Sequence, residues 1–272
     1  MFAKLLKHEF LNTKRYLGKF TLGALGLGVL TTVVVRVMQL PIFLHSIGGF
    51  NAVTAALDAF LGGAVLAFVV YAIGSGFYPL MRFYKNKFTD EGYLTFTLPV
   101  TSRAIFLSSL VNLLIWAAIT AVTLLTVLVL LTAFGFVESG VVNLRGVREL
   151  FAGIASLFFG TDYYWGPGWL NALQTLLSAL AAAVIAMASI TAGAIKAKKY
   201  KALAAIGFYY LFDLLRSILM SVLSAVVFAA TEDNYTASYV AYCVLTCVMS
   251  LIYIFWGYAL SVNLMKEKLN LP

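Results

Sequence analysis

Six stretches of this sequence, at about residues 18–37, 58–80, 106–133, 171–195, 203–229 and 238–263, are predominantly apolar over at least the length of a bilayer crossing. A spanning helix needs ~20 such residues. Together the six take up more than half of the 272 residues, which leaves no room for a soluble catalytic domain. Composition agrees with this reading. The chain is 62% hydrophobic and 11% charged, where soluble domains run near half apolar and about a quarter charged. A transmembrane β-barrel would show ~10-residue segments of alternating polarity. "AITAVTLLTVLVLLTAF" and "LLSALAAAVIAMASITAGA" are continuous apolar runs instead. The expected fold is therefore all-α: a polytopic integral membrane protein with six transmembrane helices in one domain, 1–272.

The basic residues set the expected orientation, because cytoplasmic flanks carry the excess of Lys and Arg. Lys4, Lys7, Lys14, Arg15 and Lys19 precede the first span. Arg82, Lys85, Lys87 and Arg103 flank the second-to-third connection, Lys196, Lys198, Lys199 and Lys201 the fourth-to-fifth, and Lys266 and Lys268 the tail. That places fifteen of the nineteen basic residues on one side. Both termini are expected in the cytoplasm, in a multi-pass protein of the cytoplasmic membrane. The net charge of +8 then reads as attraction to anionic lipid, with no nucleic-acid partner. No A-x-A-like cleavage site follows the first span, so it is expected to remain as an anchor.

Residues 1–17, "MFAKLLKHEFLNTKRYL", place Phe2, Leu5, Leu6, Phe10 and Leu17 on one helical face and the basic residues elsewhere. Such a segment is expected to form an amphipathic interfacial helix before the first span, or else a disordered basic leader. Small residues recur four apart at Ala24/Gly28, Gly63/Ala67, Ala72/Gly76 and Ser178/Ala182/Ala186, where helices in lipid can approach closely. The fourth span is the richest in them. In the outer loop 134–170, "LRGVRELFAGIASLFF" reads as a surface helix, and "GTDYYWGPGW" as an interfacial aromatic belt or a lid.

Several chemistries are excluded. The two histidines, His8 and His45, lie outside the spans and cannot serve an intramembrane hydrolase. The nearest approach to a phosphate-binding loop is "YLGKF", which lacks the upstream Gly and the hydroxyl residue. Cys243 and Cys247 are four apart on one helix, unsuited to an ordinary disulfide, and read as packing residues. No catalytic or metal-binding residue is expected. One ionisable pair lies deep, Asp213 and Arg216 in "FYYLFDLLRSILM". Twelve residues from Lys201, Asp213 is ~18 Å along its helix, near mid-membrane. The pair is either part of a substrate pathway or gate, or a structural lock between helices.

The most informative passage is "MRFYKNKFTDEGYLTFTLPVTSR", residues 81–103, which interleaves charges with Phe83, Tyr84, Phe88, Tyr93 and Phe96. "RFYKNKF" can extend the second span, "TDEG" turns, and Thr101 or Ser102 can cap the third span after Pro99. The segment 81–105 thus reads as a rigid helix–turn–helix lever suited to docking a partner. With its "LP-V-[ST]-R" approach to the third span, the six spans and the basic leader, the chain resembles the permease subunits of ABC-2 type transporters, in a small six-span variant of Gram-positive gut bacteria. The motif covers about residues 77–112. The resemblance implies that Thr89, Asp90, Glu91, Gly92 and Tyr93 contact a separate ATPase, with Arg82, Lys85 and Lys87 as the basic flank. It also implies two ATPase subunits carrying the ATP and Mg, and a second permease subunit, identical or homologous. The cargo would be a drug, lipid or antimicrobial peptide. Many such permeases carry "GK" where this chain has Ser108 and Ser109, and several have a re-entrant segment before the last span that is missing here. A stand-alone secondary transporter or channel, or a structural or sensory membrane assembly protein, remains the alternative.

Overall fold

Water is absent from the bilayer core, so a chain crossing it must close its backbone hydrogen bonds within each segment. A computed structural model of the protein describes residues 2–39, 52–89, 101–136, 142–159, 168–197, 199–231 and 235–269. Among these residues all regular structure is helical: α1 Phe2–Met38, α2 Ala52–Phe88, α3 Ser102–Leu130, α4 Leu144–Phe159, α5 Gly168–Lys196, α6 Lys201–Ala230 and α7 Tyr235–Leu269. A π-helical turn, Leu131–Gly135, ends α3. Six stretches are long and apolar enough to cross a membrane: Phe2–Met38, Ala55–Phe88, Ser102–Gly135, Gly168–Lys196, Lys201–Ala230 and Tyr235–Lys266. Each contains one of the six apolar windows. This is the architecture of a multi-pass membrane protein.

The division of 1–17 from 18–37 is not seen. α1 is one unbroken helix of 37 residues, ~55 Å long at 1.5 Å per residue. The junction offers only Gly18, and a single glycine costs a helix ~1 kcal/mol relative to Ala, too little to end it. The buried stripe also runs straight through: Glu9, Thr13, Leu17, Ala24, Gly28, Thr31, Thr32 and Val35. Phe2, on the expected apolar face, is exposed, and Leu5, Leu6 and Phe10 are half-buried. The packed face is thus partly polar, at Glu9 and Thr13, which an apolar pattern does not mark.

The chain forms two compact units, Lys7–Pro79 with Asn112–Gly153, and Met1–Leu6 with Leu80–Val111 and Ile154–Pro272. In the first unit, threonines of α1 return their hydroxyls to the helix. Thr13 donates to the Glu9 carbonyl at 2.9 Å, Thr31 to Leu27 at 2.7 Å and Thr32 to Gly28 at 2.8 Å. Such back-bonding satisfies a hydroxyl where no water is present. Thr13 Oγ1 also accepts from Asn112 Nδ2 at 3.2 Å, and Phe10 stacks on Trp116 with centroids 5.6 Å apart. Gly28 meets α3 so closely that a Cβ there would lie 2.5 Å from Val127 Cγ2. Gly28→Val is accordingly expected to force the two helices apart, costing ~1–3 kcal/mol as overpacking does. A lowered unfolding midpoint in detergent checks this; an unchanged midpoint would show that the helices do not meet there.

α4 covers the expected segment, residues 144–159. Asn143 starts it, accepting from Gly146 N at 2.8 Å through its side chain, as an N-cap does. The same residue ties back to α3, its amide nitrogens donating to Ala133 O at 2.7 Å and Phe136 O at 2.8 Å.

In the second unit α5 packs on both α6 and α7. It is the most buried span, with Ala181, Val184, Ile185, Met187, Ala188, Thr191, Ala192, Gly193 and Ala194 among its buried residues. Ser178, Ala182 and Ala186 are half-buried beside that line, so the richest small-residue span does make the tight contact, but one position over. Gly193 approaches α6 backbone to backbone: a Cβ would lie 2.3 Å from Ala205 N. Gly63 and Gly76, by contrast, have nothing within 4 Å of a Cβ. Cys243 and Cys247 are buried free thiols, and Cys243 Sγ lies 3.5 Å from Asn171 Oδ1, which also accepts from Tyr239 OH at 2.6 Å.

Candidate functional site

A connection between two spans transmits force only if its ends are stiff. The sequence "RFYKNKF" has no helix breaker after Pro79, and α2 runs through it without interruption to Phe88. Thr89 finishes the helix by donating its hydroxyl to the Lys85 carbonyl. At the other end Thr101 is the cap: its carbonyl accepts from Ala104 N at 2.9 Å and Ile105 N at 3.2 Å, and its hydroxyl lies 3.4 Å from Ala104 N. Ser102, the other candidate cap, is buried instead, with no hydrogen-bond partner for its hydroxyl among the described residues.

Aromatic side chains join these two ends within the second unit. Phe83 is buried and meets Phe88 edge-on at 5.6 Å and Phe106 at 6.4 Å. Phe106, fully buried in the first turns of α3, meets Tyr258 of α7 at 5.7 Å. Edge-to-face geometry in this range adds ~0.5–1.5 kcal/mol per pair beyond burial. The four rings therefore tie the end of α2, the start of α3 and the last span into one piece. Ser108 and Ser109 are both buried, and each donates to the Ile105 carbonyl, at 3.0 and 3.2 Å. A lysine in the second of these positions would bring a charge into that packing.

The basic flank is not one exposed strip. Lys85 is exposed, Arg82 half-buried and Lys87 buried, only 4% accessible. Asp90, Glu91, Gly92 and Tyr93 lie outside the described residues, so of the five expected contact residues only Thr89 has a described position. The aromatic tie itself was legible only as "interleaved aromatics". Tyr258 carried no signal, since one tyrosine in a late span is ordinary.

The intramembrane pair sits elsewhere in the same unit, and its two members do meet. Arg216 Nε is 3.9 Å from Asp213 Oδ1, three residues apart on α6. That distance is too long for a hydrogen bond, and neither group makes one among the described residues. The side chains are also not enclosed, being 32% accessible for Arg216 and 52% for Asp213. Among the described residues no hydrogen bond from the pair reaches a second helix. A charge at mid-span costs ~2.5–3.5 kcal/mol on insertion scales if left to lipid, so its exposure is a property of α6 that packing within the chain leaves unresolved.

Among the described residues no cluster of three or more His, Cys, Asp or Glu is close enough to hold a metal ion. Comparison of the chain with family models, with curated proteins and with solved structures finds no match.

Proposed function

We propose that this chain is the membrane-spanning permease subunit of an ATP-driven exporter of ABC-2 type. It carries an apolar or amphipathic cargo across the cytoplasmic membrane with both termini inside. ATP is hydrolysed by two copies of a separate ATPase, and a second permease subunit, identical or homologous, completes the pathway. The chain itself makes and breaks no covalent bond. The observation that supports this most directly is the union of α2 and α3 around residues 81–103. An unbroken helix to Phe88, a capped restart at Thr101 and the Phe88–Phe83–Phe106–Tyr258 contacts tie the two ends of the connection to three spans. A mere linker needs none of this. A docked ATPase that moved residues 89–93 would move those spans with it.

Carboxylates at the turn can accept charge-assisted hydrogen bonds from Arg or Lys of the ATPase, and Tyr93 can fill a pocket beside them. Reversing both charges, Asp90→Lys with Glu91→Lys, is expected to leave membrane insertion intact and to cut ATPase association at least tenfold. Tyr93→Ala is expected to act in the same direction. Co-purification of the partner ATPase, and cargo-stimulated hydrolysis by the pair, are the measurements. Normal hydrolysis and export with all three changes would reduce the passage to a linker. Gradient-driven uptake by the chain alone in liposomes would favour a stand-alone secondary transporter.

A further inference from the structure

We infer that the seam between α1 and α3 binds a water molecule, which accepts from Trp116 Nε1 and donates to Asn112 Oδ1. This concerns packing inside the first unit and is independent of any reading of transport. Polar partners are scarce within a membrane, so buried hydroxyls of the spans turn back on their own helices. Thr31, Thr32, Thr120 and Thr123 all do so, at 2.7 to 2.9 Å. Two buried atoms on α3 have no such outlet. Asn112 Oδ1 and Trp116 Nε1 make no hydrogen bond among the described residues, and their residues are only 4% and 3% accessible. A carboxamide oxygen only accepts, and the N–H groups inside a helix are already spent along it. The indole N–H only donates. Left dry, each group loses its hydration and gains nothing in return.

The orientation of the Asn112 amide follows from its neighbour on α1. Thr13 donates its hydroxyl to the Glu9 carbonyl at 2.9 Å, so its oxygen can only accept. The atom of Asn112 that lies 3.2 Å away must then be the amide nitrogen, which leaves Oδ1 as the open end. Thr13 is fully buried, and Phe10 stacks on the Trp116 ring at 5.6 Å. Both α3 residues therefore meet α1, in a seam closed to large molecules. The pair also sets the chemistry of its guest. A cation suits Oδ1 but is repelled by the N–H, an anion suits only the N–H, and an apolar group suits neither. A hydroxyl that accepts once and donates once satisfies both, and water is the hydroxyl small enough for an enclosed site. The spacing agrees. Residues four apart on a helix have Cβ atoms ~5–6 Å from each other, and one oxygen at ~2.9 Å from each of two partners bridges up to ~5.8 Å. Buried waters serve polar groups of this kind, which the protein itself leaves unsatisfied.

The test uses the full chain in a deuterated phosphocholine detergent, which has no exchangeable protons, with the tryptophans isotopically labelled at the indole nitrogen. The Trp116 signal is the one that Trp165→Phe, Trp169→Phe and Trp256→Phe each retain. Dipolar magnetisation transfer from water to its indole proton is expected in the native chain. Asn112→Leu is similar in size and removes the accepting oxygen, so it is expected to cut that transfer at least fivefold. Thr13→Val removes a hydroxyl that could relay water protons, and the transfer is expected to persist in it. The inference is overturned by absence of transfer in the native chain, which means a dry indole or a protein partner. It is overturned equally by unchanged transfer in a folded Asn112→Leu, or by loss of transfer in Thr13→Val, which means relay through the hydroxyl. If Asn112→Leu does not fold, the native chain and Thr13→Val carry the decision.

Discussion

Gly193→Val is expected to abolish recovery of folded protein, the largest single-residue effect in the chain. Even one Cβ at this position would lie 2.3 Å from Ala205 N and 2.5 Å from Ala205 Cα. These are backbone atoms, so no rotamer change relieves the clash, and the helices themselves must separate. α5 ends at Lys196 and α6 starts at Lys201, so the contact lies near the end of one helix and the start of the next. The cost should exceed the ~1–3 kcal/mol of ordinary overpacking, where side chains can give way. Gly193→Ala should already lower the unfolding midpoint, and Val should leave little monodisperse protein in detergent. Gly63→Ala is the matched control, because nothing lies within 4 Å of its Cβ and a helix gains propensity from the change. If Gly193→Val folded as well as Gly63→Ala, the close approach of α5 and α6 would be wrong.

Removing the ring at the centre of the aromatic tie should have the next largest effect, and it separates stability from coupling. Phe106 is fully buried and touches both Phe83 and Tyr258. Phe→Ala in a packed core typically costs ~3–5 kcal/mol through lost contacts and the cavity left behind. On the proposed function the change does more than destabilise. The end of α2 loses its connection to α3 and α7, while residues 89–93 keep their sequence. ATPase association should therefore persist in Phe106→Ala, whereas cargo-stimulated hydrolysis and export should fall at least tenfold. Phe106→Leu fills most of the volume and should recover stability with only part of the coupling. Loss of ATPase binding in Phe106→Ala, with insertion intact, would mean that the tie shapes the docking surface instead of transmitting its motion.

The six spans and the helix at 144–159 were legible from residue order, because both depend on local quantities. A long apolar run in lipid has helix as its only way to satisfy the backbone, and α4 begins where Asn143 can cap it. The ends of the lever were legible for a similar reason: Thr101 is a capping residue placed just before an apolar run, and nothing in "RFYKNKF" stops a helix. Which face of each helix packs was not legible. In water the buried face is the apolar one, and its period shows in the sequence. In lipid both faces are apolar, so that signal vanishes. Hence the buried line of α1 passes through Glu9 and Thr13, the tight contact of α5 lies one position away from the small-residue row, and Lys87 is buried while Lys85 is exposed. The sequence determined that Asp213 and Arg216 lie three apart near the middle of an apolar helix, within reach of each other. Only the tertiary structure decided that Arg216 is half-buried and Asp213 exposed, because burial depends on which helices pack against a face.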